Sequence, residues 1–247
     1  MNFPRPRHRS RLGRRFLRTG LVLLGCCVSA SIFAILALRW LPPPISAMMQ
    51  QQVLAARLRG DATFRLRYQW VAIERISPQA ALAVVAAEDQ KFPHHSGFDF
   101  ASISQAWRDN RHRHRPRGAS TITQQVAKNL FLWPGRSYLR KGLEAYWTVL
   151  LELLWPKRRI LETYLNLAEF GSGVYGVEAA SRLYFDKSAA RLCATEAAAL
   201  AAVLPSPRTM SPARPSPYAR QRSRQIQQQM RNLGGTDFLR DVLTEVR

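Results

Sequence analysis

The chain contains an uncharged stretch that is long enough to cross a membrane. From Thr19 to Leu38, twenty residues carry no charge and are rich in Leu, Val, Ile and Ala. A helix rising about 1.5 Å per residue would carry them across the roughly 30 Å core of a bilayer. A cleaved signal peptide is the alternative, but its apolar region is typically about 7–15 residues long and ends at small residues. This stretch runs into Arg39, Trp40 and Pro42, which favours a transmembrane anchor.

The residues before this stretch indicate its orientation. They include seven arginines and no acidic residue. Because positively charged flanks remain in the cytoplasm, we expect a cytoplasmic N-terminus, with the rest of the chain outside the inner membrane in the periplasm. The predicted organisation is a cytoplasmic basic tail (1–18), a transmembrane helix (19–41), a membrane-proximal connector (42–60) and a folded domain (61–247).

The net charge indicates an anionic partner. The 247 residues include 37 Lys and Arg against 16 Asp and Glu, a formal charge of +21. Without the seven N-terminal arginines and Arg39, the exported part still has 29 basic and 16 acidic residues. Outside the inner membrane such an excess fits lipid headgroups or phosphate-bearing substrates, and no nucleic acid is expected as a partner. The three cysteines form no obvious pair or zinc cluster, and the histidines lack a third metal ligand at usable spacing.

The exported part is predicted to be mainly helical. Its cap and periodicity signals predict helices over 78–90, 121–130, 137–155, 156–168, 177–184, 195–204 and 218–233. Residues 93–119 are predicted to form a loop, and the proline-rich stretch 211–217 a linker to a terminal helical piece.

Adjacent acids, Glu88 and Asp89, fall near the end of the first exported helix. The negative end of the helix dipole and the neighbouring like charge both favour the protonated form, which would raise the pKa of such a carboxylate towards the range of a general base. Solvated surface acids are the alternative on base rates. The polar, turn-rich segment that follows, with His95 and Asp99, favours a site.

Small and hydroxyl residues open the next predicted helix, from Arg117 to Gln125. Free backbone N–H groups at a helix start can bind phosphate, although a simply capped helix is an equal alternative. Lys128 would lie on the same face. Further on, Arg140 and Lys141 stand four and three residues before Glu144, the spacing of a surface ion pair.

Five blocks, taken together, resemble the monofunctional biosynthetic peptidoglycan transglycosylases, which correspond to the glycosyltransferase domain (glycosyltransferase family 51) of bifunctional penicillin-binding proteins. In order, the blocks are Glu88-Asp89-x-x-Phe92-x-x-His95-x-Gly97-x-Asp99, Gly118-Ala119-Ser120-Thr121-Ile122-Thr123-Gln124-Gln125 with Lys128 and Asn129, Arg140-Lys141-x-x-Glu144, Lys157-x-x-Ile160-Leu161-Glu162-x-Tyr164-Leu165-Asn166, and Phe170-Gly171-x-Gly173-x-Tyr175-Gly176. They span about half of the exported chain.

The resemblance implies a lysozyme-like, bilobal α-helical domain that polymerises lipid II into β-1,4-linked glycan strands and releases undecaprenyl pyrophosphate. Glu88 would be the general base and Glu144 the second carboxylate, assisting near the pyrophosphate. The residues implied in substrate or pyrophosphate binding are Asp89, His95, Arg117, Ser120, Thr121, Gln124, Gln125, Lys128, Arg140 and Lys141. Gly171, Gly173, Tyr175 and Gly176 would shape the cleft. No cofactor is required, although a divalent cation, Mg or Mn, assisting the pyrophosphate stays open. Expected partners are lipid II, the nascent glycan strand, the inner membrane and other cell-division or wall-synthesis proteins.

Two other functions fit parts of the pattern. A lytic transglycosylase would share the fold but has little need for so many phosphate-directed cations, and a membrane-anchored scaffold would leave the carboxylates idle. A penicillin-sensitive activity is not expected, because the chain contains neither Ser-x-x-Lys nor Lys-Thr-Gly. The apolar stretch 146–155 is interpreted equally well as a buried core helix or as a membrane-facing surface.

Overall fold

The computed structural model describes residues 9–110, 120–135 and 137–245, which form two compact units, Met1–Leu41 and Pro42–Arg247. The first unit contains helix α1 (Arg9–Trp40). Its segment Gly13–Trp40 is long and apolar enough to cross a membrane. The structure is therefore compatible with the predicted single-pass anchor.

The second unit is mostly helical, which confirms the predicted mainly α fold. Its helices are α2 (Ala47–Leu58), α3 (Pro78–Glu88), α4 (Phe100–Asn110), α5 (Ile122–Phe131), α6 (Tyr138–Leu154), α7 (Lys157–Leu167), α8 (Val177–Phe185), α9 (Ala194–Val203), α10 (Pro217–Asn232) and α11 (Arg240–Thr244). Short 3-10 turns lie at Ile73–Arg75, Phe92–His94, Ala189–Arg191 and Gly235–Leu239.

Three short strands form a small sheet in the order β1-β3-β2. Strand β1 (Arg67–Tyr68) runs parallel to β3 (Val174–Tyr175), and β2 (Glu169–Gly171) pairs antiparallel with β3 through an irregular register. The sheet therefore joins the start of the second unit to the segment between α7 and α8.

Two alanine-rich helices form the centre of the second unit. Residues 80–86 of α3 are all buried, and α9 is buried from Ala197 to Val203 except at one position. Small side chains allow α3 and α9 to pack closely, and α10 packs on both. A second group forms around α5, which contacts α2, α6 and α7. The segment 42–60, expected as a connector, contains α2 and so contributes to this packing.

Cap residues explain why the helices begin where they do. The Ser77 side chain accepts from the Gln79 N–H with Pro78 at the first helical position, and Thr121 caps α5. The seven predicted helices are all present, with ends within about two residues of prediction. Local cap signals together with hydrophobic periodicity were therefore sufficient to place them.

One prediction about a connection was wrong. Residues 100–110, predicted as loop, form α4, whose start is capped by Asp99 accepting from the Ser102 N–H at 3.0 Å. The stretch 211–217, predicted as a linker to a terminal helical piece, leads into α10, which packs against α9 and α3. Helix α4 precedes a strongly basic run, and that run obscured the Asp99 cap in the sequence.

Candidate active site

Glu88 is the last residue of α3 and is partly buried. Its Oε2 accepts a hydrogen bond from Gln125 Nε2 at 2.9 Å. Burial raises the pKa of the Glu88 carboxyl, while the Gln125 hydrogen bond and the positive charges of Arg222 and Lys128 oppose that rise. The neighbouring Asp89 adds only a smaller upward contribution. The predicted direction of the pKa change is confirmed, but its main cause is burial rather than the neighbouring acid.

Asp89 is buried and fully engaged within the protein. His95 Nε2 lies 3.0 Å from both of its carboxylate oxygens, and the Ile122 N–H donates to Oδ2 at 2.9 Å. His95 Nδ1 accepts from the Gly97 N–H at 3.1 Å, so the imidazole is neutral and carries its proton on Nε2. Asp89 and His95 therefore join the end of α3, the following turn and the start of α5. Their expected role in substrate binding stays a prediction.

The start of α5 is a capped helix rather than an open phosphate cradle. Thr121 Oγ1 accepts from the Gln124 N–H at 3.2 Å, and Gln124 Oε1 accepts from the Thr121 N–H at 3.0 Å, which completes a capping box. The Ile122 N–H is used by Asp89. Of the two alternatives that the sequence left open, the structure shows the capped helix, in which side chains accept from the N–H groups of Thr121, Ile122 and Gln124.

The residues just before α5 are only partly described. Ser120 is exposed and borders a cavity beside α3. Arg117, predicted to bind pyrophosphate, lies outside the described residues, together with the basic run at 111–115. Of the small and hydroxyl residues at this helix start, Ser120 is the described one whose side chain faces solvent.

Glu144 is buried within a cluster of cations. Its side chain is only 4% exposed and pairs with Arg140 at 3.0 Å and with Lys141. The prediction of a surface ion pair was wrong, because Thr148 and Leu151, further along α6, are also buried and turn this face of the helix inward.

Lys128 on α5 links the two carboxylates electrostatically. Burial lowers the pKa of its ammonium, and the charges of Arg140 and Lys141 lower it further. Glu144 and Glu88 both oppose that change. Lys128 is therefore close enough to interact with both acids, and the site combines two carboxylates with three cations.

The fourth block fixes the turn that carries His95. Lys157 Nζ donates to the His95 carbonyl at 2.5 Å and to Glu152 Oε1 at 2.9 Å. The same Glu152 oxygen accepts from the Thr123 hydroxyl on α5. These bonds connect α7, α6 and α5 around the turn.

Other members of that block hold neighbouring backbone. Asn166 accepts from the Val71 N–H and donates to the Val71 carbonyl, both at 2.9 Å, and Glu162 accepts from the Ile73 N–H at 3.0 Å. The Tyr164 hydroxyl donates to Gln125 Oε1 at 3.4 Å. Gln125 thus links the buried Tyr164 to Glu88.

The glycine-rich block forms the β2–β3 hairpin. Gly171, Gly173 and Tyr175 lie in or beside its strands, and Tyr175 is buried. Gly176 has φ +83° and approaches α7 so closely that a Cβ would lie 2.7 Å from the Asn166 carbonyl oxygen. Glycine is needed there both for its backbone conformation and for this contact. The Gly176 N–H also donates to the Ala168 carbonyl at 2.9 Å, so the end of the hairpin is joined to the end of α7.

A polar cavity of about 270 Å³ lies beside Glu88, between α3, α4 and α10. Its lining includes Glu88, Ser102, Gln105, Arg222 and Gln229. Sequence reasoning missed the two α10 residues because it gave the terminal helical piece no part in the site. A signal was available, since Arg222 precedes the apolar Ile226 and Met230 at four-residue intervals.

The described residues do not fit a protein-bound divalent cation. No group of three or more His, Cys, Asp or Glu side chains comes together in the described ranges. Asp89 accepts from two donors, and Glu144 is paired with two cations that would repel a metal ion. Of Glu88, Asp89 and Glu144, Glu88 is the one that is partly buried and has a single side-chain donor.

The sequence is similar to those of known proteins. Residues 54–231 match the model of the Transglycosylase family. The biosynthetic peptidoglycan transglycosylase of Xanthomonas campestris pv. campestris (strain B100) is 52% identical over 229 residues, 93% of each chain. Its counterpart from Pectobacterium carotovorum subsp. carotovorum (strain PC1) is 52% identical over 230 residues, again 93% of each chain. The chain belongs to the transglycosylase family.

Proposed function

We propose that this protein is a membrane-anchored peptidoglycan glycosyltransferase that polymerises lipid II into β-1,4-linked glycan strands, with Glu88 as its general base. The observation that carries the assignment of the base is the position of Glu88, partly buried at a helix end beside a polar cavity and held by Gln125. The family and the names of its relatives indicate the reaction class.

In the reaction, Glu88 accepts the proton of the acceptor sugar's 4-hydroxyl. The oxygen then bonds to the donor's anomeric carbon, and the bond to pyrophosphate breaks, so that undecaprenyl pyrophosphate leaves with the electron pair. Burial helps because it raises the proton affinity of Glu88 relative to a solvated carboxylate. Gln125 and, behind it, Tyr164 orient the carboxylate.

The cation cluster stabilises the leaving group. Lys128, Arg140 and Lys141 place three positive charges around Glu144, and Arg117 is assigned to the same task by its place in the second block. Departure of pyrophosphate needs charge stabilisation more than protonation. Glu144 acts as the second carboxylate by holding Arg140 and Lys141 until the pyrophosphate competes for them. These side chains supply the neutralisation in this proposal, and any divalent cation would be held by the pyrophosphate.

The test of the base is Glu88→Gln, assayed with labelled lipid II. We expect loss of polymer of about a thousandfold or more, because the amide cannot accept the proton, with the thermal unfolding midpoint retained. The matched control is Glu74→Gln, whose side chain is more than half exposed, and we expect it to remain active.

An active Glu88→Gln enzyme would refute the assignment of the base. Cleavage of preformed glycan by the wild-type protein, with no polymer from lipid II, would instead identify a lytic enzyme. Neither reaction from the folded wild-type protein would identify a scaffold.

The membrane interaction extends beyond α1 in this proposal. On α6, Leu139, Val149 and Leu153 are exposed along one face, with Leu139 at 71% and Leu153 at 74%, whereas Leu151 and Trp155 are buried in the core. The apolar stretch 146–155 therefore has a core side and a solvent side. We assign the solvent side to the outer leaflet of the inner membrane, with the N-terminus in the cytoplasm.

Thiol labelling tests both parts of this assignment. In a background with Cys26 and Cys27 replaced by Ser, Cys193 is exposed and should react with an impermeant reagent in intact spheroplasts. Labelling of Cys193 only after lysis would contradict the orientation.

With Cys193 also replaced, a fluorophore at Leu153→Cys should be quenched by quencher-bearing lipids, and one at the half-exposed control Leu183→Cys should not. Equal quenching at both positions would contradict the membrane-facing role of α6.

A further inference from the structure

Helix α10 contacts the end of α3 that carries Glu88. The Arg222 Nη2 group donates to the carbonyl of Ala87, the residue before Glu88, at 3.0 Å. The last carbonyls of a helix have no partner within the helix, and a cation there also complements the negative end of the dipole. Arg222 thus caps α3 at the position next to the proposed base.

The preceding carbonyls of α3 are satisfied locally. The Val85 carbonyl accepts from the Asp89 N–H at 2.9 Å, and the Ala86 carbonyl accepts from Gln90 Nε2 at 3.0 Å. The Ala87 carbonyl differs, because its donor comes from a helix 135 positions away in the sequence. The geometry of the last turn of α3 therefore depends on α10.

The packing of α10 places Arg222 on the side of the helix that faces α3. Ile226 and Met230, four and eight residues later, are buried at 0% and 3% exposure, so Arg222 lies on the face of α10 that packs against α3 and α9. Within the described ranges no acidic side chain lies within 4.0 Å of its guanidinium. Its charge is directed to the helix end and to the cavity that Glu88 also lines.

We propose that Arg222 is a positioning residue for glycan polymerisation: from α10 it holds the last turn of α3, and with it the Glu88 carboxylate, in the orientation that the reaction requires. The proposal rests on the role of Glu88 as base. It adds a residue outside the five blocks that identify the family.

The charge of Arg222 supports the same role. It lowers the pKa of the Glu88 carboxyl against the effect of burial, as Lys128 on α5 also does, while Asp89 raises it. From α7, the buried Tyr164 faces Glu88, and burial raises the pKa of its phenol well above the usual value, so it stays neutral. Arg222 therefore helps to keep Glu88 ionised and able to accept a proton.

The other elements packed on α3 bring charges that are already paired. Helix α9 carries Glu196, which pairs with Lys187 at 2.6 Å, and the turn at 235–239 carries Asp237, which pairs with Arg240 at 2.7 Å. Arg222 and Lys128 are cations whose charges lower the pKa of Glu88.

The experiment compares Arg222→Gln with Arg222→Lys in the full chain, using the pH profile of kcat/KM for lipid II. Loss of the positive charge raises the pKa of Glu88, so for Arg222→Gln we expect the acid limb to move to higher pH. If the acid limb moves by one pH unit, kcat/KM at the low-pH end should fall about tenfold, and this loss should diminish as the pH rises. Arg222→Lys should keep the wild-type acid limb.

Arg224→Gln is the matched control, because it removes an exposed arginine two residues away on the same helix. We expect a wild-type profile. Should Arg222→Gln fail to fold, as judged by circular dichroism, Arg222→Met keeps the aliphatic stem for packing and is expected to move the acid limb in the same direction.

The proposal would be overturned if the folded neutral variant, Arg222→Gln or Arg222→Met, had the wild-type pH profile. It would also be overturned if that variant lost the same fraction of kcat/KM at every pH and Arg222→Lys did not restore it. Glu88→Gln is measured in parallel to separate this from failure of the proposed function. An active Glu88→Gln enzyme refutes the role of Glu88 as base. If Glu88→Gln is inactive but Arg222→Gln keeps the wild-type acid limb, only the role of Arg222 is refuted.

Discussion

Replacing Asp89 by Asn tests whether this residue is a structural tie or a substrate ligand. The Asp89 side chain is 4% exposed. Its Oδ2 accepts from the Ile122 N–H at 2.9 Å, and His95 Nε2 lies 3.0 Å from both carboxylate oxygens. Asparagine offers one carbonyl oxygen and one NH₂ group in the same volume. With the carbonyl oxygen at the Oδ2 position, where it can still accept from the Ile122 N–H, the NH₂ group takes the Oδ1 position and faces the Nε2–H donor of His95.

The mismatch is not relieved by a change of histidine tautomer. If His95 carried its proton on Nδ1, its Nε2 could accept from the asparagine NH₂. The Nδ1–H donor would then face the Gly97 N–H donor, from which Nδ1 now accepts. A hydrogen bond to a charged group contributes about 1.5–3 kcal/mol, and an unsatisfied buried donor costs about 1–3 kcal/mol. We expect Asp89→Asn to lower the free energy of unfolding by about 2–4 kcal/mol.

The assay is thermal unfolding of the full chain in detergent, followed by circular dichroism. For a unit of this size 1 kcal/mol corresponds to roughly 2–4 °C, so the midpoint should fall by roughly 4–16 °C. Asp237→Asn, on a side chain that is 75% exposed, should change it by less than about 2 °C. An unchanged midpoint for Asp89→Asn combined with weaker lipid II binding would refute the structural tie and restore the role in substrate binding.

Two further substitutions test contacts around α7. Gly176→Ala should lower the free energy of unfolding by about 2–4 kcal/mol, because of the positive φ and the 2.7 Å approach to the Asn166 carbonyl oxygen. Gly142→Ala, in open space on α6, should raise it by about 0.5–1 kcal/mol. Equal midpoints of the two variants in thermal unfolding would contradict this. Lys157→Met should cost about 3 kcal/mol, because it leaves the largely buried Glu152 unpaired. The double variant Lys157→Met/Glu152→Gln should recover part of the loss in urea unfolding, and strict additivity would count against the pairing.

Helix starts were predictable from sequence because their signals are local. Ser77 and Thr121 cap their helices through bonds to residues two or three positions away, so the residue types alone carry the information. These helix starts needed no knowledge of what packs against the helix. The upward direction of the Glu88 pKa was predicted from the helix dipole and the neighbouring acid, but its main cause is burial, which depends on packing between distant segments.

Contacts between distant segments were not predictable. Asp89 and Ile122 lie 33 positions apart, and Arg222 reaches Ala87 over 135 positions. A carboxylate that binds substrate and one that accepts from a buried backbone N–H look alike in a sequence, because the difference lies in burial. The resemblance identified a block of important residues, but it did not separate those that react from those that hold the site together.

The two carboxylates are suited to different tasks by their surroundings. Glu88 has one side-chain donor and is partly buried, which increases its affinity for a proton. Glu144 is paired with Arg140 and Lys141, so its charge is engaged by cations that would otherwise repel one another and Lys128. In the proposed mechanism, an arriving pyrophosphate takes over those cations from Glu144. The proposal therefore assigns proton removal to Glu88 and leaving-group stabilisation to the cluster around Glu144, with Lys128 close enough to interact with both carboxylates.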